Sequence, residues 1–214
     1  MSEKDVRLVG DRLLQLIAVV LLGITTIGTA WCGFQAARWN GQSGDLNGVA
    51  SERRVEAARL FGLATQKITY DSMVVAKYAE ATQEGNDKLL QFYRKSVVRP
   101  AFLPVLDRWE AGVKAGDPTV GVFEDEEYLA EQFAAYEETV AAAEQATQES
   151  QEASEAADAY VGTTILLAMA LFFAGVESSF QFRFARLLLL ILATGAVAVA
   201  AARIVDLPVI WAGL

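Results

Sequence analysis

Residues 13–37 read LLQLIAVVLLGITTIGTAWCGFQAA, an apolar segment long enough for a helix that crosses a bilayer. Two further apolar segments occur much later in the chain, YVGTTILLAMALFFAGV at residues 160–176 and LLLLILATGAVAVAAA at residues 187–202. A hydrocarbon core about 30 Å thick takes roughly 20 helical residues, so each segment matches one span. The sequence therefore predicts an integral membrane protein with three transmembrane helices.

The basic residues near the ends of these segments predict their orientation. Lys4, Arg7 and Arg12 precede the first segment, and Arg183 and Arg186 lie between the second and the third. Because Lys and Arg favour the cytoplasmic side of a membrane, both positions are predicted to be cytoplasmic. The predicted segments are a cytoplasmic N-terminus at 1–12, a first transmembrane helix at 13–37, an extracytoplasmic helical domain at 38–159, a second transmembrane helix at 160–180, a cytoplasmic link at 181–186, a third transmembrane helix at 187–205 and an interfacial tail at 206–214.

The first apolar segment is interpreted as a retained anchor. It exceeds the roughly 7 to 15 residues of a signal-peptide core, and Trp31 occupies a place where cleavage requires a small residue. Four aromatic residues are predicted to lie at the outer interface, where amphipathic rings concentrate. They are Trp31, Trp39, Tyr160 and Trp211.

The segment between the first two spans has the pattern of an all-α stalk. Apolar residues recur at helical spacing from Leu46 to Ala81, and Gly85-Asn86 ends that pattern. The remaining predictions are helices at Asp87–Val98 and Ala101–Ala111, a loop at Gly112–Val122, and a last helix with Glu124–Glu127 in its first turn. The two long helices meet the same membrane surface, so they are expected to pack antiparallel. Whether Gly41–Gly44 interrupt the first helix stays open.

Composition excludes two classes of function. The chain carries 27 acidic and 18 basic residues, and phosphate binding needs clusters of Lys and Arg that this sequence lacks, so no nucleic-acid partner is predicted. The sequence also contains no histidine, which removes the commonest general base and metal ligand. We therefore predict a non-enzymatic protein without a cofactor or a metal.

Polar residues within the spans are candidates for helix packing or for lining a pore. They are Gln15, Thr25, Thr26, Thr29 and Gln35 on the first span and Thr163 and Thr164 on the second. Such side chains join membrane helices by hydrogen bonds worth roughly 0.6 to 2 kcal/mol. Packing is the favoured interpretation, because Gln15, Thr26 and Thr29 do not form one clean stripe with the others.

Two groups of charged residues are further candidates. Arg203 and Asp206 are three residues apart near the outer end of the third span and are predicted to pair on one helix face. Glu124, Asp125, Glu126 and Glu127 form an acidic surface at the start of the last stalk helix. Contiguous residues point around a helix, so this surface is interpreted as a solvated helix start rather than a calcium site.

One region carries a resemblance to a known family. The run WCGFQAARWNGQ at residues 31–42, followed by RVEA at 54–57, resembles a group of uncharacterised bacterial membrane proteins. Those proteins share one span, a helical segment and two closing spans, a layout that covers the whole chain. The resemblance implies a location in the bacterial inner membrane and brings no assigned activity.

Three functions are compatible with these features. The favoured hypothesis is an oligomeric scaffold or accessory subunit, whose partners are membrane lipid, further copies of the chain or another membrane protein. The second is a subunit of an ion channel or transporter, lined by the Thr and Gln side chains. The third is an extracytoplasmic ligand sensor, which resembles the sensory part of bacterial chemoreceptors in arrangement only.

Overall fold

The computed structural model describes residues 3–116 and 125–211, with side chains from residue 12 onward, and it confirms the predicted all-α class. No strand occurs in these residues. The helices are α1 (Glu3–Gln83), α2 (Asp87–Phe92) with a π-helical turn (Tyr93–Val97), a 3-10 turn (Pro100–Phe102), α3 (Leu103–Lys114), α4 (Glu126–Val176), a second 3-10 turn (Glu177–Ser179) and α5 (Arg183–Asp206). Three of them, α1, α4 and α5, are long and apolar enough to cross a membrane.

Several predicted boundaries are confirmed and others are wrong. Gly41–Gly44 lie inside α1, so the glycines do not interrupt it. Gly85 has a φ of +64° just after α1 ends, a conformation that suits glycine. The predicted loop at Gly112–Val122 starts too early, because α3 continues to Lys114. The rest of that loop, at 117–122, and Glu124 lie outside the described residues.

The chain forms two compact units, which we name the span unit and the polar unit. The span unit comprises Met1–Gly48 and Ala146–Leu214, and the polar unit comprises Val49–Gln145. The three apolar segments all belong to the span unit. Helix α5 begins at Arg183, within the segment 181–186 that the sequence assigns to the link before the third apolar segment.

In the span unit, small residues let α1, α4 and α5 pack closely. Buried positions on α4 recur every three or four residues, which is the spacing of a coiled-coil seam. One cluster joins Ala18, Ala174 and Ala193, and another joins Cys32, Tyr160 and Ala200. Ser43 and Ser150 meet with 3.1 Å between their hydroxyl oxygens. Because Ala18 shares a cluster with Ala174 and Cys32 with Tyr160, α1 and α4 run antiparallel here, as predicted.

Large apolar side chains cover the outside of these helices. Ile27 on α1, Phe172 on α4 and Ile191 on α5 are all more than half exposed within the chain. A helix whose apolar residues face outward needs an apolar surrounding, since exposed apolar surface is costly in water. Lipid supplies that surrounding in a membrane protein.

The polar unit has a conventional apolar core. Its buried members are Ile68, Val74, Val75, Tyr78, Val98, Phe102, Val105, Leu106 and Tyr128. The ring of Phe61 on α1 lies 5.7 Å from that of Phe133 and 5.4 Å from that of Tyr136 on α4. These aromatic contacts join α1 to α4 within this unit.

A buried carboxylate fixes three elements of the polar unit to one another. Asp71 on α1 is 1% exposed and accepts a hydrogen bond of 2.9 Å from Nε of Arg99. It also accepts one of 2.5 Å from the hydroxyl of Tyr128 on α4. A buried charge is tolerated where it is paired and hydrogen-bonded, and Asp71 meets both conditions.

Candidate functional site

The predicted span threonines all use their hydroxyl groups within their own helix. Each donates to a backbone carbonyl one turn earlier, at 2.7 to 3.0 Å: Thr25 to Leu21, Thr26 to Leu22, Thr29 to Thr25, Thr163 to Ala159 and Thr164 to Tyr160. Thr25 and Thr163 are completely buried, whereas Thr26 is exposed. The donors of these side chains are therefore already satisfied, and they do not converge on one site.

The two glutamines predicted within the first span differ in their exposure to solvent. Gln15 is exposed on α1. Gln35 is completely buried, and its amide makes two hydrogen bonds with the backbone of Ile210. Nε2 donates to the carbonyl oxygen at 3.1 Å, and Oε1 accepts from the amide nitrogen at 3.0 Å. Gln35 therefore attaches the segment after α5 to the first helix.

Two aromatic residues attach the same segment. Nε1 of Trp39 and the hydroxyl of Tyr160 each donate to the carbonyl oxygen of Pro208 at 3.0 Å. The ring centroid of Trp31 lies 6.3 Å from that of Trp211. The four aromatic residues that the sequence assigns to one interface thus lie at one end of the span unit. We name residues 207–211 the returning segment.

The bound returning segment differs from the expectation of the sequence. The sequence predicts an interfacial tail at 206–214, of which residues 212–214 lie outside the described part. A glutamine within an apolar segment was the available signal, because a buried amide needs partners for its oxygen and its nitrogen. Sequence spacing does not identify those partners, since Gln35 and Ile210 are separated by 175 positions.

The predicted pair of Arg203 and Asp206 does not form. Both residues are exposed near the end of α5, and no ion pair joins them in the described chain. The guanidinium of Arg203 instead lies near Gly162 of α4, with Nη1 3.9 Å from the place of a Cβ on that glycine. A Cβ at position 162 would make only an ordinary van der Waals contact with Arg203, so the guanidinium lies beside α4 without depending on the glycine.

A different ion pair closes the opposite end of the span unit. Nε of Arg186 donates to Oε1 of Glu177 at 2.6 Å, and the carboxylate is only 1% exposed. The pair joins the 3-10 turn after α4 to the first turns of α5. The sequence contained both residues, but local spacing rules favoured the pair at the other end of α5.

The predicted acidic surface is partly neutralised. Oδ1 of Asp125 accepts from the backbone N–H of Tyr128 at 3.0 Å, which caps α4, and Oδ2 accepts from Nε of Arg108 at 2.8 Å. Nη1 of Arg108 also lies 3.7 Å from Glu127. Burial opposes ionisation of Asp125, but these hydrogen bonds outweigh it and hold its pKa below the usual value. Glu126 is exposed, and no described group of acids, Cys and His has the geometry of a metal site.

A cleft in the polar unit combines an apolar wall with charged groups. It has a volume of about 310 Å³ between α1, α2 and α3. Its lining residues are Tyr78, Thr82, Asp87, Leu90, Trp109, Glu110, Val113 and Lys114. The hydroxyl of Tyr78 donates to Oε1 of Glu110 at 2.5 Å, and Nη1 of Arg94 donates to the same oxygen at 3.2 Å. Burial and the neighbouring carboxylate raise the pKa of Tyr78, so the phenol stays neutral and donates.

One face of α1 consists of small exposed residues. They are Gly23, Ala30, Gly33, Ala37, Gly41, Gly44 and Gly48, which we name the open face. At 100° per residue these positions fall within one side of the helix, opposite the side that carries Thr25, Cys32 and Ser43. A Cβ added at any of the five glycines would meet no atom within 4 Å. No described atom therefore packs against these glycines, although Ile210 borders the face beside Ala37 and Gly41.

The comparisons with known proteins give no relative for this chain. It matches no model of a known family, and neither a curated protein nor a solved structure shows significant similarity to it.

Proposed function

We propose that the chain is a non-enzymatic scaffold or accessory subunit of the bacterial inner membrane that binds a second copy of itself through the open face of α1. The observation that carries this proposal is the set of small exposed residues on one side of α1 between Gly23 and Gly48, against whose glycines no described atom packs. Membrane helices associate through such faces because small side chains allow the backbones to approach closely.

A second copy is the occupant that suits this face best. Two copies inserted in the same orientation place the same residue of α1 at the same height in the membrane. A two-fold axis along the helices then brings Gly33 opposite Gly33 and Ala37 opposite Ala37, a self-complementary contact. A partner helix with large side chains at this level would hold the two backbones apart.

The polar contacts of the spans support packing over conduction. A pore lined by threonine presents hydroxyl groups to water or ions. In this chain the five span threonines donate to carbonyls of their own helices, and Gln35 is occupied by Ile210. A scaffold role therefore agrees better with these side chains than a channel does.

The proposed orientation has the N-terminus in the cytoplasm and residues 38–159 outside it. Trp31, Trp39, Tyr160 and Trp211 lie at the same end of the span unit, and aromatic residues favour a membrane interface. Arg183 and Arg186 lie at the start of α5, at the end where a cytoplasmic side is favoured.

The experiment compares two Gly→Ile variants of the full chain in lipid nanodiscs or mild detergent. Gly33→Ile places a large side chain on the open face, while Gly195→Ile makes the same change at an exposed glycine of α5. Light scattering should give a dimer for wild type and Gly195→Ile and a monomer for Gly33→Ile. A monomeric wild type, or equal effects of the two variants, would contradict the proposal.

Cysteine cross-linking supplies a second test in membranes. Ala37→Cys lies on the open face, and Gln42→Cys lies on a different side of the same helix, each in a Cys32→Ala background. Because a disulfide needs Cα atoms about 4.4 to 6.8 Å apart, Ala37→Cys should form covalent dimers and Gln42→Cys should not. Equal cross-linking at the two positions would show that the open face is not the contact.

A further inference from the structure

The cleft of the polar unit has the size and lining of a small-molecule site. Binding pockets start at about 300 Å³ and combine apolar walls with a few fixed polar groups. The cleft has about 310 Å³, so it suits a small ligand. Leu90, Trp109 and Val113 supply the apolar wall. This feature is independent of the proposed contact between copies, since it lies entirely within residues 49–145.

Glu110 is the fixed polar group of the cleft. Its side chain is 25% exposed, and both Tyr78 and Arg94 donate hydrogen bonds to its Oε1. Its Oε2 lies 3.9 Å from Nζ of Lys114, whose side chain is 80% exposed. A long, exposed ion pair of this kind contributes little, so a ligand can displace Lys114 readily. Oε2 is thus positioned to accept a hydrogen bond from a molecule in the cleft.

The charge of the lining selects the class of ligand. Asp87 and Glu110 carry two negative charges, and Lys114 carries one positive charge. The positive charge of Arg94 behind Glu110 is balanced by its ion pair with Asp107, so one negative charge remains. A cation therefore gains more than an anion from this surface. The indole of Trp109 adds an electron-rich ring, which attracts cations as well as apolar groups. The ring is held edge-on to Tyr78, with 6.3 Å between the centroids.

We propose that this cleft binds a small organic ammonium compound, with its N–H groups donating to Glu110 and its apolar body against Leu90, Trp109 and Val113. The ammonium supplies the donors that a carboxylate oxygen accepts. Asp87 adds charge at the edge of the cleft, and Lys114 moves toward solvent. A ligand without the positive charge keeps the apolar contacts and loses the hydrogen bonds.

The test uses 2-phenylethylammonium and its neutral analogue 2-phenylethanol as probes of the full chain in nanodiscs. Calorimetric titration should give the ammonium at least a tenfold higher affinity, a ratio that corresponds to about 1.4 kcal/mol. Equal affinities would overturn the proposal, as would a lack of ammonium binding at about 10 mM.

One variant locates the binding, and one matched variant controls for loss of charge. Glu110→Gln should lower the affinity for the ammonium about tenfold. Glu80→Gln removes a carboxylate that pairs with Lys77 on the exposed surface, away from the cleft, and should leave the affinity unchanged. Equal losses for both variants would show only a general effect of net charge.

A variant that fills the cleft gives an independent test in case Glu110→Gln alters the fold. Val113 is 39% exposed, so Val113→Phe extends into the cleft without needing room in the core. This variant should keep the helical circular dichroism of wild type and lose binding of both probes. Unchanged binding by a folded Val113→Phe protein would place the site elsewhere.

Discussion

Gln35 and Ile210 exchange two hydrogen bonds although 175 positions separate them in the chain. The amide of Gln35 pairs with the backbone of Ile210 as one peptide group pairs with another across a sheet. Both atoms of a buried side-chain amide are satisfied in this way, and so are both backbone groups of Ile210. The returning segment therefore packs in a fixed register against α1.

Replacing Gln35 by leucine should release the returning segment. The change leaves the backbone N–H and carbonyl of Ile210 without their partners, which costs about 1 to 3 kcal/mol for each buried group left unsatisfied. Unfolding of the purified protein in detergent should reveal this loss of stability, and protease should cleave near residue 208 faster than in wild type.

Gln15→Leu is the matched control for that variant, because Gln15 is an exposed glutamine on the same helix. It should change the free energy of unfolding by no more than about 0.5 kcal/mol. Equal effects at positions 15 and 35 would mean that the contacts with Ile210 do not stabilise the span unit.

Glu177→Gln should destabilise the opposite end of the span unit. It removes the charge that pairs with the largely buried Arg186, and breaking a buried pair by changing one partner typically costs about 3 to 5 kcal/mol. Arg203→Gln, which changes an exposed arginine of the same helix, should cost less than about 1 kcal/mol. Chemical unfolding of both variants in the same detergent checks the difference, and similar midpoints would refute it.

The polar unit should lose stability at alkaline pH because of the buried phenol of Tyr128. Burial first, and then the hydrogen bond to Asp71, raise the pKa of its phenol above the ordinary value of about 10. A group whose pKa is raised in the folded state stabilises fully below its unfolded pKa and loses that contribution as the pH rises. The free energy of unfolding should therefore fall by about 1 kcal/mol between pH 10 and about pH 11 from this group.

Tyr128→Phe tests the origin of that alkaline loss. The variant lacks the phenol, so its stability should fall less steeply than that of wild type above about pH 10. The pKa of Tyr78 is also raised, so this residue contributes part of the loss of stability above about pH 10 in both proteins. Below about pH 9 the free energies of unfolding of the two proteins should change with pH in parallel. If they also change in parallel above about pH 10, the prediction is contradicted.

Hydropathy and proline content were enough to predict the helical framework. The three helices that are apolar enough to cross a membrane follow from apolar runs of the right length. The absence of proline between residues 3 and 83 permits the continuous helix α1, although the glycines at 41–44 left its continuity open from the sequence. The end of α1 was also predictable, because Gly85 is the residue that adopts a positive φ most easily.

Which side chains pair with each other is harder to predict from the sequence. Rules for pairs three or four residues apart suggested Arg203 with Asp206, whereas the structure pairs Arg186 with Glu177 across a turn. Which arginine meets which acid depends on the register of α5 against α4, and that register depends on buried alanines such as Ala174 and Ala193. The cleft residues likewise come from three helices, so no local pattern brings Tyr78 and Glu110 together.

The contact between Gln35 and Ile210 also imposes an order on biosynthesis. A ribosome completes α1 long before it adds residue 210, so the amide of Gln35 has no native partner during most of translation. In an apolar surrounding an unpaired amide is costly. Water or another polar group therefore pairs with Gln35 until the returning segment arrives, and this segment completes the packing of the span unit last.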